Sequence, residues 1–290
     1  MRSVWIRFSC FALCLAVQGA RAQAPVHGLW VWKTPSVLAA PRGAETLRDF
    51  CKSATISEVY AAFPPGIDAG GESRFAMLIS MLHAAGVRVE ALLSSTNADE
   101  PGAPRAKLLA RARSILEFNA RHAPQRFDGI HLDIEPQQRP ENKGAGNLNF
   151  LSGLAGAYRD VGELAAGRGL TLNADVQIKL LKGDLQQRRE LLMSVPRITL
   201  MLYELSRPDD GTSDAEKEQK LRERDAAILD AAYRGLDNEG VAKIVIALRT
   251  PDYGPLLPRM LAVLEETNRA NPRYLGWARH SYNDTLGSAP

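Results

Sequence analysis

The stretch Phe127-Asp128-Gly129-Ile130-His131-Leu132-Asp133-Ile134-Glu135-Pro136 decides how this chain is read. From Ile130 to Glu135 apolar and polar residues alternate strictly. Successive side chains of a β-strand point to opposite faces, so His131, Asp133 and Glu135 share one face and Ile130, Leu132 and Ile134 the other. The apolar face has to pack on a hydrophobic layer, which turns three titratable groups toward whatever the strand encloses.

Working outward, seven more short β-branched or apolar runs read as strands, at 28–33, 56–63, 87–94, 170–178, 198–205, 243–249 and 274–278; the quoted stretch is the fourth of eight. Helical periodicity fills the gaps at 45–53, 73–85, 105–121, 147–168, 184–194, 214–238 and 255–269. Such alternation implies parallel strands joined by helical crossovers. Eight strands in a chain close to the usual ~250 residues point to a single closed (β/α)8 TIM barrel rather than an open sheet. Few residues follow the eighth strand, so the eighth helix is expected to be missing or vestigial. No linker composition or repeat divides the chain, and the charge-rich segment 216–225 reads as a solvated helix face.

Arg2 and Arg7 flank an apolar run at 8–17 that ends in Ala20-Arg21-Ala22, the pattern of a secretory signal peptide over residues 1–22. The run is about half of the ~20 residues a membrane span needs. The expected mature protein, residues 23–290, is therefore exported, periplasmic or secreted, without membrane insertion once the signal is removed, and a monomer. The leader holds three of the 36 basic residues and none of the 33 acidic ones, leaving the mature chain balanced at 33 of each. With no basic cluster interleaved with aromatics, nucleic acid is not an expected partner. Cys51 is left without a cysteine partner and reads as a buried apolar filler.

In a barrel, chemistry sits where strand C-termini open into loops. Asp133 and Glu135 lie two strand residues apart, with Cα atoms roughly 6.5 Å apart, and cannot both ionise cheaply in a shared interior. Glu135, nearest the mouth, is the natural general acid, and Asp133, one layer deeper, would orient the reacting group. Asn173, Asp175 and Gln177 form a second inward polar row on the fifth strand, and Glu90 is a further inward candidate on the third. Trp30, Trp32 and Trp277 are candidate platforms for the apolar face of a sugar ring, and Arg249 and His280 can line the mouth. Lys143-Gly144-Ala145-Gly146 reads as a flexible lid. Neither G-x-S-x-G nor a metal-ligand spacing is present, and no metal or cofactor is expected.

The run from Asp128 to Glu135 resembles the strand-four signature of glycoside hydrolase family 18, D-x-x-D-x-D-x-E, with Asp128, Asp133 and Glu135 on its first, third and last marked positions. His131 replaces the second aspartate. Met201-Leu202-Tyr203-Glu204 resembles the family's M-x-Y-D, and Gly276-Trp277 resembles the tryptophan that floors its sugar site. The resemblance implies a glycan substrate containing β-linked N-acetylhexosamine, cleaved with retention by attack of the substrate's own acetamido oxygen. Glu135 would be the acid and then the base, Asp133 would hold the acetamido group, and Tyr203 would donate to its oxygen, with Glu204, Asp175, His131 and the tryptophans around the substrate. In the family the replaced aspartate helps cycle the charge of the next one, so either His131 takes over that work or activity is weakened. Two other readings stay open: a non-catalytic glycan-binding barrel, and a conventional two-carboxylate glycosidase pairing Glu135 with Asp175 or Glu204.

Overall fold

The structure, a computed structural model, describes residues 24–143, 148–203, 213–236 and 240–286. The expected leader at 1–22, the glycines of the expected lid and Glu204 lie outside them. Eight parallel strands close into a barrel in chain order: β1 (Val26–Val31), β2 (Glu58–Ala62), β3 (Arg88–Ser95), β4 (Gly129–Ile134), β5 (Thr171–Gln177), β6 (Arg197–Met201), β7 (Lys243–Arg249) and β8 (Tyr274–His280), with β8 pairing back onto β1. The helices are α1 (Thr34–Ala39), α2 (Gly43–Ser53), α3 (Ala69–Ala84), α4 (Ala103–Arg121), α5 (Leu151–Ala166), α6 (Leu185–Leu192), α7 (Asp214–Tyr233), α8 (Thr250–Tyr253), α9 (Leu257–Asn268) and α10 (Tyr282–Leu286). The seven long crossover helices match the periodic segments, and the eighth is reduced to the five residues of α10. The short α1 and α8 were not expected; each begins at or beside a proline after a strand. β6 ends at Met201, four residues before the apolar pattern does, and β8 runs on to His280.

Local chemistry starts the helices where the periodicity places them. Ser213 and Glu216 form a capping box at α7, Asp184 and Gln187 another at α6, and the Asp68 side chain accepts from the Gly71 amide at α3. The main hydrophobic layer lies between strands and helices, where Ile130, Leu132 and Ile134 pack with Phe63, Phe75, Phe118 and Phe127. Inside the ring the apolar cluster is small, centred on Trp30, Tyr60, Leu92, Val245 and Ala278. Polar groups fill the rest.

Strand β8 changes face partway along. Its pairing with β7 slips between Ile244 and Val245, so that Tyr274 and Gly276 become the partners of consecutive residues and Leu275 is extra. A β-bulge of this kind reverses the alternation beyond it. Gly276 takes φ +146° at the bulge, and a Cβ there would run into the Val26 backbone, so glycine is required. Beyond it Ala278 faces the interior, while Trp277 packs into the outer layer.

Candidate active site

The interior is layered. At the floor, Arg197 of β6 ion-pairs with Glu58 of β2 and with Glu90 of β3, the latter at 3.1 Å. Glu90 also accepts from Asn173 and, at 3.0 Å, from Thr171. One layer up, His131 sits fully buried between two strands' carboxylates: its Nδ1 is 3.2 Å from Glu90 Oε2 and its Nε2 is 2.8 Å from Asp175 Oδ1. Tyr60 stacks on the imidazole with ring centroids 3.8 Å apart. Trp30 Nε1 donates to the other oxygen of Asp175 at 3.1 Å. Burial alone would push His131 down, but Asp175 and Glu90 outweigh it and raise the imidazole to about 9. It is therefore an imidazolium at neutral pH, donating from both nitrogens.

At the mouth, Asp133, Glu135, Asp175, Gln177, Tyr203 and His280 surround a cleft of about 180 Å³, with Trp30 and Trp32 on its wall. At ~30 Å³ per water that is about six waters, the scale of one sugar ring. Burial, reinforced by the charges of Asp175 and Glu135, holds the Asp133 carboxyl well above the usual range. Burial also raises Glu135, with Asp175 adding to the shift and the donated hydrogen bond of Gln177 and the charge of Lys179 partly offsetting it. Gln177 Nε2 donates to Glu135 Oε1 at 2.6 Å, Gln137 donates to the same oxygen at 3.2 Å, and Gln138 donates to Oε2. Three buried atoms at the mouth have no hydrogen-bond partner among the described residues: Asp133 Oδ1, the Tyr203 hydroxyl and His280 Nδ1. Native proteins rarely leave such atoms unpaired, so a water or a ligand group is expected against them.

The structure thus brings together Glu135, Asp133, Asp175, Tyr203, Trp30 and Trp32, and seats His131 directly beneath them. Trp277 is different. The bulge turns it outward, where it stacks on His27 with centroids 4.1 Å apart, so it does not floor the cleft. The aromatic wall at that side is supplied by Trp32, whose Nε1 donates to His280 Nε2 at 3.0 Å. Asp128 is likewise away from the mouth; it accepts from the Val89 amide at 2.7 Å and meets His83 at 2.9 Å, stitching β3 to β4. Sequence reasoning missed Glu58, Arg197 and the glutamine pair. Glu58 shares strand parity with Tyr60, and Gln137-Gln138 directly follow the motif, but their mutual contacts depend on strands far apart in the chain.

No protein-family profile matches the chain, and no curated protein matches it. Solved structures do. The Group IV chitinase of Ostrinia furnacalis is similar at 13% identity and TM-score 0.51, over 78% of this chain and 66% of that one. A spore cortex-lytic enzyme of Bacillus megaterium is similar at 11% identity and TM-score 0.49, over 80% of this chain and 52% of that one. A chitinase of Chromobacterium violaceum stands at 14% and 0.46, over 78% and 69%. The chain thus spans between about half and about two thirds of the length of these neighbours. At this identity the likeness is one of fold: the chain shares a (β/α)8 barrel with these proteins.

Proposed function

We propose that the protein is a glycoside hydrolase that cleaves a β-linked, N-acetylhexosamine-containing glycan with retention, the substrate's acetamido group acting as nucleophile. The observation that carries this reading is the presence of unpartnered buried atoms in the cleft. An acetamido group offers one N–H and one carbonyl oxygen; Asp133 Oδ1 can accept the first, and the Tyr203 hydroxyl can donate to the second. His280 Nδ1, also unpartnered at the cleft, is a second candidate donor to that oxygen.

The steps follow from the protonation pattern. Glu135, held protonated to higher pH than an exposed glutamate, gives its proton to the glycosidic oxygen as the bond to the anomeric carbon breaks. The acetamido oxygen bonds to that carbon, and the resulting oxazolinium carries a positive charge. Asp133 accepts its N–H. Asp175, whose two oxygens accept from Trp30 and meet the His131 ring, lies directly beneath it. Glu135, now a carboxylate, takes a proton from the water that attacks the anomeric carbon, and the acetamido group is restored. His131 does not reproduce the replaced aspartate; it bridges Glu90 and Asp175 instead.

As second carboxylate of a conventional two-carboxylate route Asp175 is disfavoured, because each of its oxygens is already engaged and the residue is 1% exposed; the other candidate, Glu204, lies outside the described residues. The leader at 1–22 supports an exported enzyme acting on a periplasmic or extracellular glycan. Glu135→Gln tests the assignment. Turnover of a chromogenic N-acetylglucosaminide oligomer is expected to fall about 10²–10⁴-fold with binding retained. Analogues lacking the acetamido group should not be cleaved. A wild-type protein that binds and never turns over would make the barrel a lectin.

A further inference from the structure

Of the three tryptophans described, Trp30 is fully buried and Trp277 packs into the outer layer. Trp32, half-buried at the cleft wall, is the one that can offer a ring face to a sugar. It lies one residue past the end of β1, on the turn into α1, where the strand ladder no longer sets the direction of its side chain.

The hold comes from β8. This strand pairs with β1 in register from Val26 with Gly276 to Leu29 with Arg279, which brings His280 to the end of β1. The bulge decides which way His280 points. Ala278 faces the interior beyond Gly276, and His280, two residues further, shares that face and lines the cleft. The irregularity that turns Trp277 away from the cleft therefore delivers His280 into it. His280 Nε2 accepts from Trp32 Nε1 at 3.0 Å. An indole nitrogen only donates, so Nε2 is the bare nitrogen and the neutral ring carries its proton on Nδ1. Burial pulls the imidazole below its ordinary value despite the opposing charges of Asp284 and Asp175, which suits a bare nitrogen. Three residues on, Asn283 of α10 accepts from the Lys33 amide at 3.1 Å, so the turn that carries Trp32 is tied twice to the end of β8 and the helix after it.

We propose that His280 is a positioning residue: by accepting the Trp32 indole N–H it fixes that ring as the platform for the sugar in the cleft, with Asn283 bracing the turn. This deepens the glycosidase reading above and rests on it.

The test has two readouts, one of them free of sugar. In protein carrying isotope-labelled tryptophan, the Trp32 indole proton is identified by its loss in Trp32→Phe. It should exchange with solvent about tenfold faster in His280→Leu than in wild type, and stay protected in His280→Gln, whose side-chain oxygen can take the place of Nε2. The second readout is calorimetric binding of chitotetraose in the Glu135→Gln background. Trp32→Phe and His280→Leu should each weaken binding about fivefold, and the two together no more than about twofold further, because one bond is lost once. His280→Gln should bind within about twofold of the parent. Indole exchange that is unchanged in His280→Leu overturns the pair. Losses that multiply in the double variant show His280 meeting the sugar directly; they overturn the positioning role and leave the glycosidase reading standing. Absence of binding in the parent itself ends the glycosidase reading and the platform with it, while the exchange rates still decide the pair.

Discussion

Placing at position 131 the aspartate of the signature that this strand resembles should harm this protein, and the structure sets the size of the effect. His131→Asp removes an imidazolium that lies 2.8 Å from Asp175 and 3.2 Å from Glu90 and puts a third carboxyl group between them. His131 rises from its ordinary 6.5 to about 9 on folding. Its charge therefore contributes about 3 kcal/mol, fully present below pH 6.5 and lost as pH rises through 9. Removing one partner of a buried ion pair costs a similar ~3–5 kcal/mol. For a total stability of ~5–15 kcal/mol the variant should still fold, with a Tm lower by roughly 10 °C. Urea unfolding at pH 6 and pH 9.5 is the assay. The gap between wild type and variant should be widest at pH 6 and narrow at pH 9.5, where the wild-type imidazole has lost its proton. Adding Asp175→Asn to His131→Asp should recover part of the loss at pH 6, since it removes one of the crowded anions. A variant as stable as wild type at pH 6, or a gap identical at both pH values, would refute the charged bridge.

Asp133→Asn keeps the shape of a carboxyl that is already protonated, so its Tm should stay within a few degrees while kcat falls at least ~100-fold; loss of both together would make Asp133 structural. Gln177→Leu removes a hydrogen bond that favours the Glu135 carboxylate, so the Glu135 pKa should rise and the alkaline limb of kcat/KM against pH should move upward. A downward shift would contradict the account. Trp277→Ala opens the outer layer and should cost about 3–5 kcal/mol in denaturant melts while leaving kcat/KM within about twofold below the lowered Tm. Trp32→Ala, at the cleft wall, should do the reverse.

The barrel was legible because its evidence is local and repeated. Each strand announces itself by a short β-branched or apolar run, each crossover by helical period, and eight such units fit a closed barrel better than an open sheet. The fourth strand also exposed its chemistry, because a strict alternation fixes which side chains enter the ring without knowledge of any neighbour. Asp175 and Glu90 could be placed inside by the same parity. What parity could not supply was distance across the ring: that His131 bridges those two carboxylates, or that Arg197 reaches Glu58, depends on the stagger of β2, β3, β5 and β6. Trp277 failed for the complementary reason. Parity holds only for an unbroken strand, and the single extra residue at the Gly276 bulge exchanged its inner and outer faces. A glycine directly before the tryptophan was the one visible sign, and it was consistent with either face.

The floor of this barrel is expensive, and its cost bears on what it does. Glu58, Glu90 and His131 are buried, with Arg197 closing over them half-buried, in a space that hydrophobic side chains could fill at equal or better stability. Their arrangement nevertheless has a directed outcome. Arg197 holds Glu90 ionised, with its carboxyl below the usual range despite complete burial. Glu90 and Asp175 together hold the proton on His131, and His131 with Trp30 engages both oxygens of Asp175 at the underside of the cleft. The next carboxyl up, Asp133, is then left with the proton. The floor thus sets the surroundings of Asp133 and Glu135 from beneath. An inert packed core would have no use for that order; the site proposed above, which must present an acid and a neutral carboxyl side by side, does.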